Sequence, residues 1–306
     1  MAERALSVSV VIPHLNAPEA LAKCLDGILA GTCVPDEILV VDNGSKDMPD
    51  AVCERDARIR LLRETEPGPG PARNTGSAAA CGDILAFIDC DCVPDEKWLA
   101  VAMREMAREG AAILGGAVEV LPRDPARRSA LESYEAQFAY RMDRYVAEQG
   151  FTGTGNMIVR RDVFVAVGPF AGITVAEDRD WGHRARSMGY TLRYCGEMVV
   201  YHPARRCFAQ LAAKWDRQLA HDYNAARKRA GGRLRFALKG VLLLASPIAE
   251  IPSVIGSPRL TGGREWLGAF AVLTRIRWHR AWTMARLVAG ADPGRLTKAW
   301  NQSGTK

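Results

Sequence analysis

The sequence predicts an α/β fold in which a mainly parallel sheet is flanked by helices and followed by a helical, basic C-terminal extension. Three observations lead to this prediction. Strand-like and helix-like runs alternate along the front half, acidic residues stand where strands end, and charge is divided unevenly between the two ends of the chain. With 306 residues and 48% apolar content, the chain is long enough to bury a substantial core.

The first part of the alternation runs from residue 8 to residue 42. The run VSVVIP is apolar and β-branched, as a buried strand requires, and EILVVD has the same character. Between them, NAPEALAKCLDGILAG is typical of a helix in which Asn16 caps the start, Pro18 and Glu19 occupy the first turn, and Gly31 ends it. This order predicts one β-α-β unit.

The alternation continues with IRLL, the helix-like ARNTGSAAAC closed by Gly82, and the strand ILAFI. Repeated β-α-β units predict a Rossmann-like, mainly parallel sheet whose ligands bind outside the carboxyl ends of the strands. Residues 13–16, 42–45 and 89–91 all follow such ends. We therefore expect these three segments to meet at one edge of the sheet.

Two carboxylates, with one residue between them, follow the predicted strand ILAFI. Residues i and i+2 of a strand project to the same side, so Asp89 and Asp91 can face one point. Like charges held together need a cation or hydrogen-bond donors, and a divalent metal is one natural answer. The alternative is a helix N-terminus, because Asp91 and Asp95 flank Pro94 and acids suit the start of a helix.

The charge of the chain changes sign along its length. Residues 1–200 hold 22 Lys and Arg against 30 Asp and Glu, whereas residues 201–306 hold 19 against 5. The acidic front argues against a nucleic-acid groove there, and the basic end suits phosphates or an anionic membrane.

The eight cysteines and the N-terminal segment indicate a cytosolic protein. The cysteines lie partly in apolar runs and form no CxxC pair, so we expect reduced thiols and no zinc site. The apolar run near the N-terminus ends at Pro13 without a small-residue cleavage site, so it is interpreted as a strand and not as a signal peptide.

The chain resembles the family 2 glycosyltransferases, which have the GT-A fold. The stretches that match lie in the family's order and spacing across residues 8–206: VVIPHLN, EILVVDNGSKD, PARNTGSAAACGDILAFIDCDC, GTGNMIVRRDVFVAVGPF, AEDRDWGHRAR and VVYHPARR. The resemblance implies a catalytic domain at residues 1–207, with a nucleotide-sugar-binding half at about 1–120 and an acceptor-side half at about 121–207. It also implies an inverting, metal-dependent transferase of class EC 2.4 that uses a nucleoside-diphosphate sugar, with a UDP-sugar as the expected donor.

The resemblance assigns residues to the donor nucleotide. Asp42 would accept a hydrogen bond from the N3–H of a pyrimidine base, and Arg73 would contact the nucleotide. Asn43 keeps an acceptor where family members often carry a second Asp. The alternatives are an Asx turn within DNGS for Asp42 and a helix-surface position for Arg73.

The segment TGTGNMIVRRDVF adds Asn156, expected to form hydrogen bonds near the donor sugar or the acceptor. Gly153 and Gly155 suit either a close backbone approach or a tight turn. The complete set expected to bind the donor is Pro13, Asn16, Asp42, Asn43, Arg73, Asp89 and Asn156.

The resemblance also implies a bound Mn²⁺ or Mg²⁺ that bridges the diphosphate. Asp91 would coordinate the metal, and Asp89 would contact the ribose or a metal-bound water. His202 ends another apolar strand and would join the metal shell or contact the diphosphate, although a structural histidine is the alternative. Cys92 stands where many relatives carry another acid, which would weaken metal binding if that acid contributes.

The stretch AEDRDWGHRAR supplies a candidate general base. The resemblance points to Asp178 as the base that takes the proton of the acceptor hydroxyl, with Glu177 beside it. The alternative is a set of acids in the first turn of a helix, with Asp180 and Arg184 paired at i and i+4. Residues expected to meet the acceptor or the diphosphate, or else to form a solvated face, are Asp180, Arg184, Arg205 and Lys214.

Residues 208–306 are expected to hold the protein at the inner face of the cell membrane, where a saccharide or lipid-linked acceptor would be presented. The segment FALKGVLLLASPIAEIPSVIG is long enough to span, but Lys239, Pro247, Glu250 and Pro252 interrupt it, so we expect a helix in the interface or a re-entrant hairpin. Packing on the catalytic domain or within a homo-oligomer is one alternative, and a true membrane span is another. Tryptophans accompany the positive charge, as suits the headgroup level of a bilayer: Trp215, Trp266, Trp278, Trp282 and Trp300.

A second apolar stripe is expected further along the same region. Leu267, Ala271, Trp278, Trp282 and Ala285 fall roughly along one side of a helix. The arginines of that stretch do not gather on a single opposite side: Arg275, Arg277 and Arg280.

Two other functions remain open from the sequence. A sugar-1-phosphate nucleotidyltransferase would carry a Gly-rich loop with a basic residue in place of PHLNAPEAL. A non-catalytic nucleotide-sugar-binding subunit is less compatible with the presence of Asp91, Asp178 and His202 together.

Overall fold

A computed structural model describes residues 6–124, 126–173 and 175–297, which form two compact units. One unit consists of the described chain up to Glu119 together with Tyr140–His202. The other consists of Val120–Ala139 together with the described chain from Pro203 onward. The sequence placed a boundary near residue 207, but it carried no sign that residues 120–139 group with the C-terminal region.

The first unit holds an eight-stranded sheet with the order β3-β2-β1-β4-β7-β6-β8-β5. Its strands are β1 (Val8–His14), β2 (Glu37–Asp42), β3 (Ile59–Arg63), β4 (Ile84–Ile88), β5 (Val93–Pro94), β6 (Ile113–Leu121), β7 (Asn156–Arg160) and β8 (Leu192–Pro203).

The direction of the strands changes across this sheet. Strand β1 pairs in parallel with β2 and β4, and β2 pairs in parallel with β3. Strand β7 runs antiparallel to both β4 and β6, and β5 runs antiparallel to β8. The parallel arrangement expected from the sequence therefore holds for the four strands between residues 8 and 88. Side chains alternate with the same period in both kinds of sheet, so the sequence of β7 does not reveal its direction.

Helices cover the sheet and build the second unit. In chain order they are α1 (Pro18–Leu29), α2 (Asp50–Cys53), α3 (Pro69–Ala79), α4 (Trp98–Met106), α5 (Ala130–Phe138), α6 (Met142–Arg144), α7 (Arg161–Val167), α8 (Glu177–Ser187), α9 (Phe208–Ala226), α10 (Gly232–Ala249), α11 (Ile251–Ile255), α12 (Gly263–Val288) and α13 (Gly294–Thr297), with one π-helical segment at Tyr145–Gln149.

The start of α1 differs from the prediction. Asn16 has a φ of +49° and does not cap the helix, whose N-cap residue is Ala17. The backbone N–H of Ala17 instead donates to Nε2 of His14 at 3.1 Å. The side chain of His14 thus accepts from a backbone N–H at the start of α1, where the sequence suggested that the side chain of Asn16 would do so.

The core of the first unit lies on both faces of the sheet. Val10 and Ile12 pack in one cluster with side chains of α1 and α4, whereas Val11 belongs to a second cluster with Phe87 and Trp181. Successive residues of a strand face opposite sides, so a continuous apolar run such as VSVVIP is what a sheet covered on both faces requires.

The second unit is helical, as expected for the C-terminal region. Helices α5, α9 and α12 share a cluster that includes Tyr134, Leu211 and Ile276. Helices α9, α10 and α12 share another that includes Tyr223 and Met284. Among the described residues, no helix combines the length and apolar character that crossing a membrane needs. Trp300 lies outside the described residues.

Candidate functional site

The first unit brings polar residues together where adjacent parallel strands end. His14 is the last residue of β1 and pairs in register with Asp42, the last residue of β2. Asp89 follows directly after β4, the other neighbour of β1. The three segments that the sequence placed at one edge of the sheet therefore follow the ends of three neighbouring strands.

Asp42 is buried and its carboxylate is held by three protein donors. Oδ2 accepts from the backbone N–H groups of Gly44 at 3.2 Å and Ser45 at 3.0 Å, which is the Asx turn that the sequence allowed. Oδ1 lies 2.9 Å from Nδ1 of His14. Because Nε2 of His14 accepts from Ala17, Nδ1 carries the proton and donates to Asp42. Burial alone raises the pKa of Asp42, but hydrogen bonds from Ser45 and His14 outweigh it and hold that pKa below its ordinary value.

His14 was not among the residues that the sequence singled out. Its signal was available, because it directly follows the predicted strand that ends at Pro13, which is half-buried in the structure. The register that places it opposite Asp42 is known only from the structure. Asn16 lies beyond it and is exposed, and its side-chain Oδ1 accepts from the backbone N–H of Lys46 at 2.8 Å. Asn16 thus helps to hold the turn that follows β2.

Asn43 is engaged by the loop that precedes α3. Its Nδ2 donates to the backbone carbonyls of Glu64 at 3.2 Å and Glu66 at 2.7 Å, and its Oδ1 accepts from the N–H of Gly68 at 2.7 Å. Gly68 has a φ of +127°, which favours glycine. The amide of Asn43 therefore orders the EPGPGP loop, and we do not include it among the donor-contacting groups.

Arg73 lies inside the first unit, so the alternative of a helix-surface arginine is excluded. Its side chain is 3% exposed, with Nη2 lying 2.6 Å from Oδ1 of Asp89 and Nη1 lying 3.2 Å from Oε1 of Glu177. Its Nε is buried and has no hydrogen-bond partner among the described residues. One buried guanidinium thus connects the end of β4 with the start of α8.

The Asp-x-Asp segment carries the groups best suited to a metal. Nε2 of His202 lies 3.3 Å from Oδ2 of Asp91. The ring of His202 lies 4.8 Å from that of Tyr140, which restricts its orientation. Single ligand atoms of Asp89, Asp91 and Cys92 lie within 4.8 Å of one another. Two half-exposed carboxylates beside an imidazole are a donor set that Mn²⁺ or Mg²⁺ accepts, so these residues fit the expected metal.

Two details refine that metal site. Cys92 is buried, and burial raises the pKa of its thiol well above the usual value, so it stays a weak, neutral donor. The helix-start alternative applies to Asp95 and not to Asp91. Asp95 accepts from the backbone N–H of Lys97 at 3.0 Å just before α4, whereas β5 separates Asp91 from that helix.

Gly155 approaches the same carboxylate closely. A Cβ added at Gly155 would lie 2.7 Å from Oδ2 of Asp89, and one added at Gly153 would lie 2.7 Å from the side chain of Met142. The backbone at both glycines therefore lies close to other groups, as expected, and these groups are the side chains of Asp89 and Met142.

Asn156 has a structural role that excludes the expected contact with the donor. It is fully buried, and its Oδ1 accepts from the indole N–H of Trp98 at 2.8 Å. Its Nδ2 donates to the carbonyls of Ala117 and Met198, both at 2.8 Å. Its polar atoms are engaged by β6, β8 and α4, so we remove it from the donor-binding set.

Asp178 is the second residue of α8, and its pKa is raised. Burial first, and then the charge of Glu177, raise the pKa of Asp178 to about 6. Its Oδ1 accepts from the backbone N–H of Arg179 at 2.7 Å. Asp178 also lines a small cavity with Thr152 and Tyr190. A carboxylate in this setting is charged at neutral pH and more basic than an exposed aspartate.

Arg184 is engaged within the first unit and does not suit the expected role at a diphosphate. Its Nε lies 2.9 Å from Oδ2 of Asp180, as the i, i+4 alternative proposed. Its two terminal nitrogens donate to the carbonyls of Val167 and Pro169, both at 2.6 Å. Arg184 thus satisfies carbonyls at and just after the end of α7, which makes it a structural residue.

Arg205 and Lys214 belong to the second unit. The backbone N–H of Arg205 donates to the carboxylate of the buried Glu135 at 2.8 Å, and its guanidinium binds the same carboxylate. Arg205 is thus anchored within its unit, and its role at the acceptor or the diphosphate stays a prediction. Lys214 is half-buried on α9, and its role at the acceptor stays a prediction.

Comparison with known proteins identifies relatives of the chain. Residues 9–168 match the family model described as "Glycosyl transferase family 2". The chain is 34% identical over 215 residues to glycosyltransferase AglE of Haloferax volcanii, and the alignment covers 68% of this chain and 70% of AglE. It is 36% identical over 88 residues to the uncharacterized glycosyltransferase EpsJ of Bacillus subtilis, covering 28% of this chain and 26% of EpsJ.

Solved structures share the fold at low sequence identity. The mannosyltransferase PcManGT from Pyrobaculum calidifontis, solved in complex with GDP-Man and Mn²⁺, superposes with a TM-score of 0.58 at 20% identity and covers 97% of this chain and 88% of its own. TarS 1-349 of S. aureus, solved with UDP-GlcNAc, gives a TM-score of 0.52 at 15% identity and covers 97% of this chain and 92% of its own. The fold is therefore the GT-A fold of glycosyltransferases.

Proposed function

The chain belongs to glycosyltransferase family 2, and on that premise we propose that it transfers a sugar from a nucleoside-diphosphate sugar to an acceptor hydroxyl with inversion at the anomeric carbon. One observation carries the proposal. Buried Arg73 binds both Asp89 of the Asp-x-Asp segment and Glu177, the neighbour of Asp178. The groups proposed for the donor and those proposed for the acceptor are thus joined by a single side chain.

Asp178 is the proposed general base. The acceptor oxygen forms a bond to the anomeric carbon, the bond from that carbon to the diphosphate breaks, and the hydroxyl proton passes to Asp178. A pKa of about 6 supports this role, because such a carboxylate is ionised near neutral pH and still takes up a proton readily. Glu177 is the proposed positioning residue, since its carboxylate binds Arg73 at 3.2 Å.

Asp91, His202 and Asp89 are the proposed holders of Mn²⁺ or Mg²⁺. When bound, the metal would neutralise charge on the departing diphosphate. Within the chain, Asp91 and His202 lie 3.3 Å apart, while Asp89 is oriented by Arg73. The arginine therefore limits how far Asp89 can turn toward a metal or a ribose.

A UDP-sugar is the proposed donor. TarS was solved with UDP-GlcNAc, which supports this assignment, although PcManGT was solved with GDP-Man. Asp42, with Pro13 and Asn16 at or just beyond the end of the neighbouring strand, is proposed to line the nucleotide end. Because its carboxylate already accepts three hydrogen bonds, Asp42 would act mainly by shaping the turn at residues 43–45.

The proposed acceptor is a saccharide or a lipid-linked saccharide in polysaccharide or glycolipid synthesis. The enzyme would act at the cytoplasmic face of the cell membrane as a peripheral protein. The excess of Lys and Arg over Asp and Glu in residues 201–306 supports this location, because anionic lipids attract basic surfaces. A homo-oligomer is the alternative use of the same region.

Screening nucleotide sugars by mass spectrometry tests the proposal. The full chain is incubated with UDP- and GDP-sugars, with Mn²⁺ and with a chelator in its place. We expect metal-stimulated hydrolysis or transfer of at least one UDP-sugar. If UDP binds in the presence of Mn²⁺ but no sugar nucleotide is turned over, the chain is a binding subunit and the proposed catalysis is wrong.

A further inference from the structure

Helix α10 presents a row of large apolar side chains to solvent. Leu234, Leu238, Val241, Leu242 and Ile248 are each more than half exposed. Their spacing follows successive helical turns, so they form one stripe along the helix. At 1.5 Å per residue this stripe is about 21 Å long. A folded protein rarely leaves such a surface without a partner.

Helix α12 extends this stripe sideways. Leu267 is exposed on α12, and Trp278 and Trp282 are 57% and 67% exposed. The indole N–H of Trp278 donates to the carbonyl of Leu244 on α10 at 3.2 Å, which brings the two helices' exposed residues side by side. We call these side chains of α10 and α12 the α10–α12 apolar face.

Basic residues accompany the α10–α12 apolar face. Arg233, Arg235 and Lys239 are exposed on the first half of α10, and the sequence of α10 contains no Asp or Glu. A partner for this face therefore combines an apolar interior with a negatively charged boundary.

Three arginines in the middle of α12 contact residues of its own unit, which explains why they do not form a basic stripe of their own. Arg275 lies over the ring of Phe208, with its guanidinium carbon 3.9 Å from the ring centroid. Arg277 binds the carboxylate of Glu250 at 2.7 Å. Arg280 lies over the ring of Trp215 at 3.6 Å. These contacts hold α12 within its unit, while Leu267, Trp278 and Trp282 remain exposed.

We propose that the α10–α12 apolar face docks on an anionic lipid bilayer. The leucine, valine and isoleucine side chains enter the acyl boundary, while Trp278 and Trp282 lie at the headgroup level. Arg233, Arg235 and Lys239 contact the lipid phosphates. The inference rests on the proposed function only in that a membrane-bound enzyme would meet a lipid-linked acceptor.

A second copy of the chain is the less suitable occupant. Residues 201–306 hold 19 Lys and Arg against 5 Asp and Glu, so two such faces would bring like charges together. Anionic lipid removes that repulsion. Charge complementarity therefore favours the bilayer.

Vesicle flotation of the full chain tests the proposal. The double variant Leu238→Glu/Leu242→Glu places two carboxylates on the face at exposed positions, where they do not disturb the core. Val165→Glu is the matched control, because Val165 on α7 of the first unit is 71% exposed, as is Leu242. Phosphatidylglycerol vesicles are compared with phosphatidylcholine vesicles at low and high salt.

We expect the natural chain and the Val165→Glu control to float with phosphatidylglycerol at low salt. High salt should reduce the floated fraction several-fold, because it shortens the Debye length and screens surface charge. Neutral lipid should do the same, because it has no net negative charge to attract the basic residues. The double variant should lose at least tenfold in vesicle affinity. Absence of flotation under every condition, or flotation of the double variant equal to that of the control, would overturn the proposal.

Two further measurements separate this inference from its rival and from the proposed function. A concentration-dependent dimer, detected by light scattering and dispersed by Leu238→Glu/Leu242→Glu, would assign the face to a second copy and overturn membrane docking. Calorimetry of UDP with Mn²⁺ reports on the catalytic unit alone. Normal UDP binding without flotation would refute only the membrane inference, whereas flotation without any UDP binding would refute only the proposed function.

Discussion

Nη2 of Arg73 lies 2.6 Å from Oδ1 of Asp89, in an ion pair whose arginine is buried and whose aspartate is partly exposed. The same guanidinium reaches Glu177. A charge held in this way acts on both carboxylates through a short, poorly screened distance. Movement of Asp89 on donor binding would therefore shift Arg73 and change its contact with Glu177 at the start of α8.

Arg73→Gln should disturb the proposed base as well as the donor site. The positive charge of Arg73 lowers the pKa of Asp178, so its removal should move the acidic limb of the kcat/KM profile to higher pH. We also expect kcat to fall on the order of 10²-fold, because Asp89 and Glu177 lose their common anchor. Arg55→Gln, which removes an exposed pair with Asp26, is the control and should leave the pH profile in place.

Asp178→Asn should separate catalysis from binding. Loss of a positioned proton acceptor should lower kcat on the order of 10²–10⁴-fold while donor binding changes only a few-fold. The kcat/KM of the natural chain should rise with pH around the pKa of about 6 of Asp178. Near-normal turnover by the variant would contradict the assignment, and NMR detection of a retained anomeric configuration would refute the mechanism.

The same substitution should stabilise the fold at neutral pH. The pKa of Asp178 is about 6 in the folded protein, whereas an unfolded aspartate titrates near about 3.9, so between these values only the folded state keeps the proton. Stability contributed by this group is therefore lost as pH rises from about 4 to about 6. Asp178→Asn should raise the free energy of unfolding by about 1–3 kcal/mol at about pH 7.5 and change it little at about pH 4.

Denaturant unfolding at the two pH values measures this effect. Asp180→Asn, two residues further along α8, is the control because Asp180 is only partly buried and is paired with Arg184. It should show no gain that depends on pH. An equal change at both pH values for Asp178→Asn would argue against a raised pKa.

Asp91→Asn should abolish stimulation of turnover by Mn²⁺, because it removes a charged ligand while keeping the size of the side chain. Asp95→Asn is the matched control. Asp95 accepts from the backbone N–H of Lys97 before α4, and an asparagine keeps that acceptor, so Asp95→Asn should change stability little and leave the metal response unchanged. If UDP affinity, measured by calorimetry, responds neither to metal nor to Asp91→Asn, the Asp-x-Asp segment is structural.

Asn156→Ala should damage the fold and not donor affinity. The substitution leaves the indole N–H of Trp98 and the carbonyls of Ala117 and Met198 without their side-chain partner in a buried place. We expect the free energy of unfolding to drop on the order of 2–4 kcal/mol. The KM for the donor should remain within a few-fold for the folded fraction, and a large rise in KM without loss of stability would restore Asn156 to the donor site.

The sequence predicts the front of the fold well because its signals are local. Apolar runs and turn residues define β1, α1, β2 and β4, and the ends of these strands locate Asp42, Asp89 and Asp91. Parallel order follows from the β-α-β alternation alone. Nothing comparable indicates the antiparallel direction of β7 or the grouping of residues 120–139 with the second unit.

Side-chain partners were the part that the sequence could not supply. The contact of Asn156 with Trp98 joins residues 58 positions apart, and that of Arg73 with Glu177 joins residues 104 positions apart. A motif identifies which residue types are present, whereas the partner of each depends on packing between distant segments. This is why Asn43, Arg184 and Arg205, assigned from motifs to ligands, instead bind groups of the chain itself.

The contacts of Arg184 have a consequence for attempts to alter which acceptor is used. Through Val167 and Pro169, this arginine fastens the last turn of α8 to the segment that ends α7, while the proposed proton acceptor stands at the opposite end of the same helix. The contacts of Arg184 therefore fix the C-terminal end of α8, while Asp178 lies at its N-terminal end. Changes in the turn after α7 would therefore shift the orientation of α8, and libraries designed to vary the acceptor should keep residues 167–169 constant.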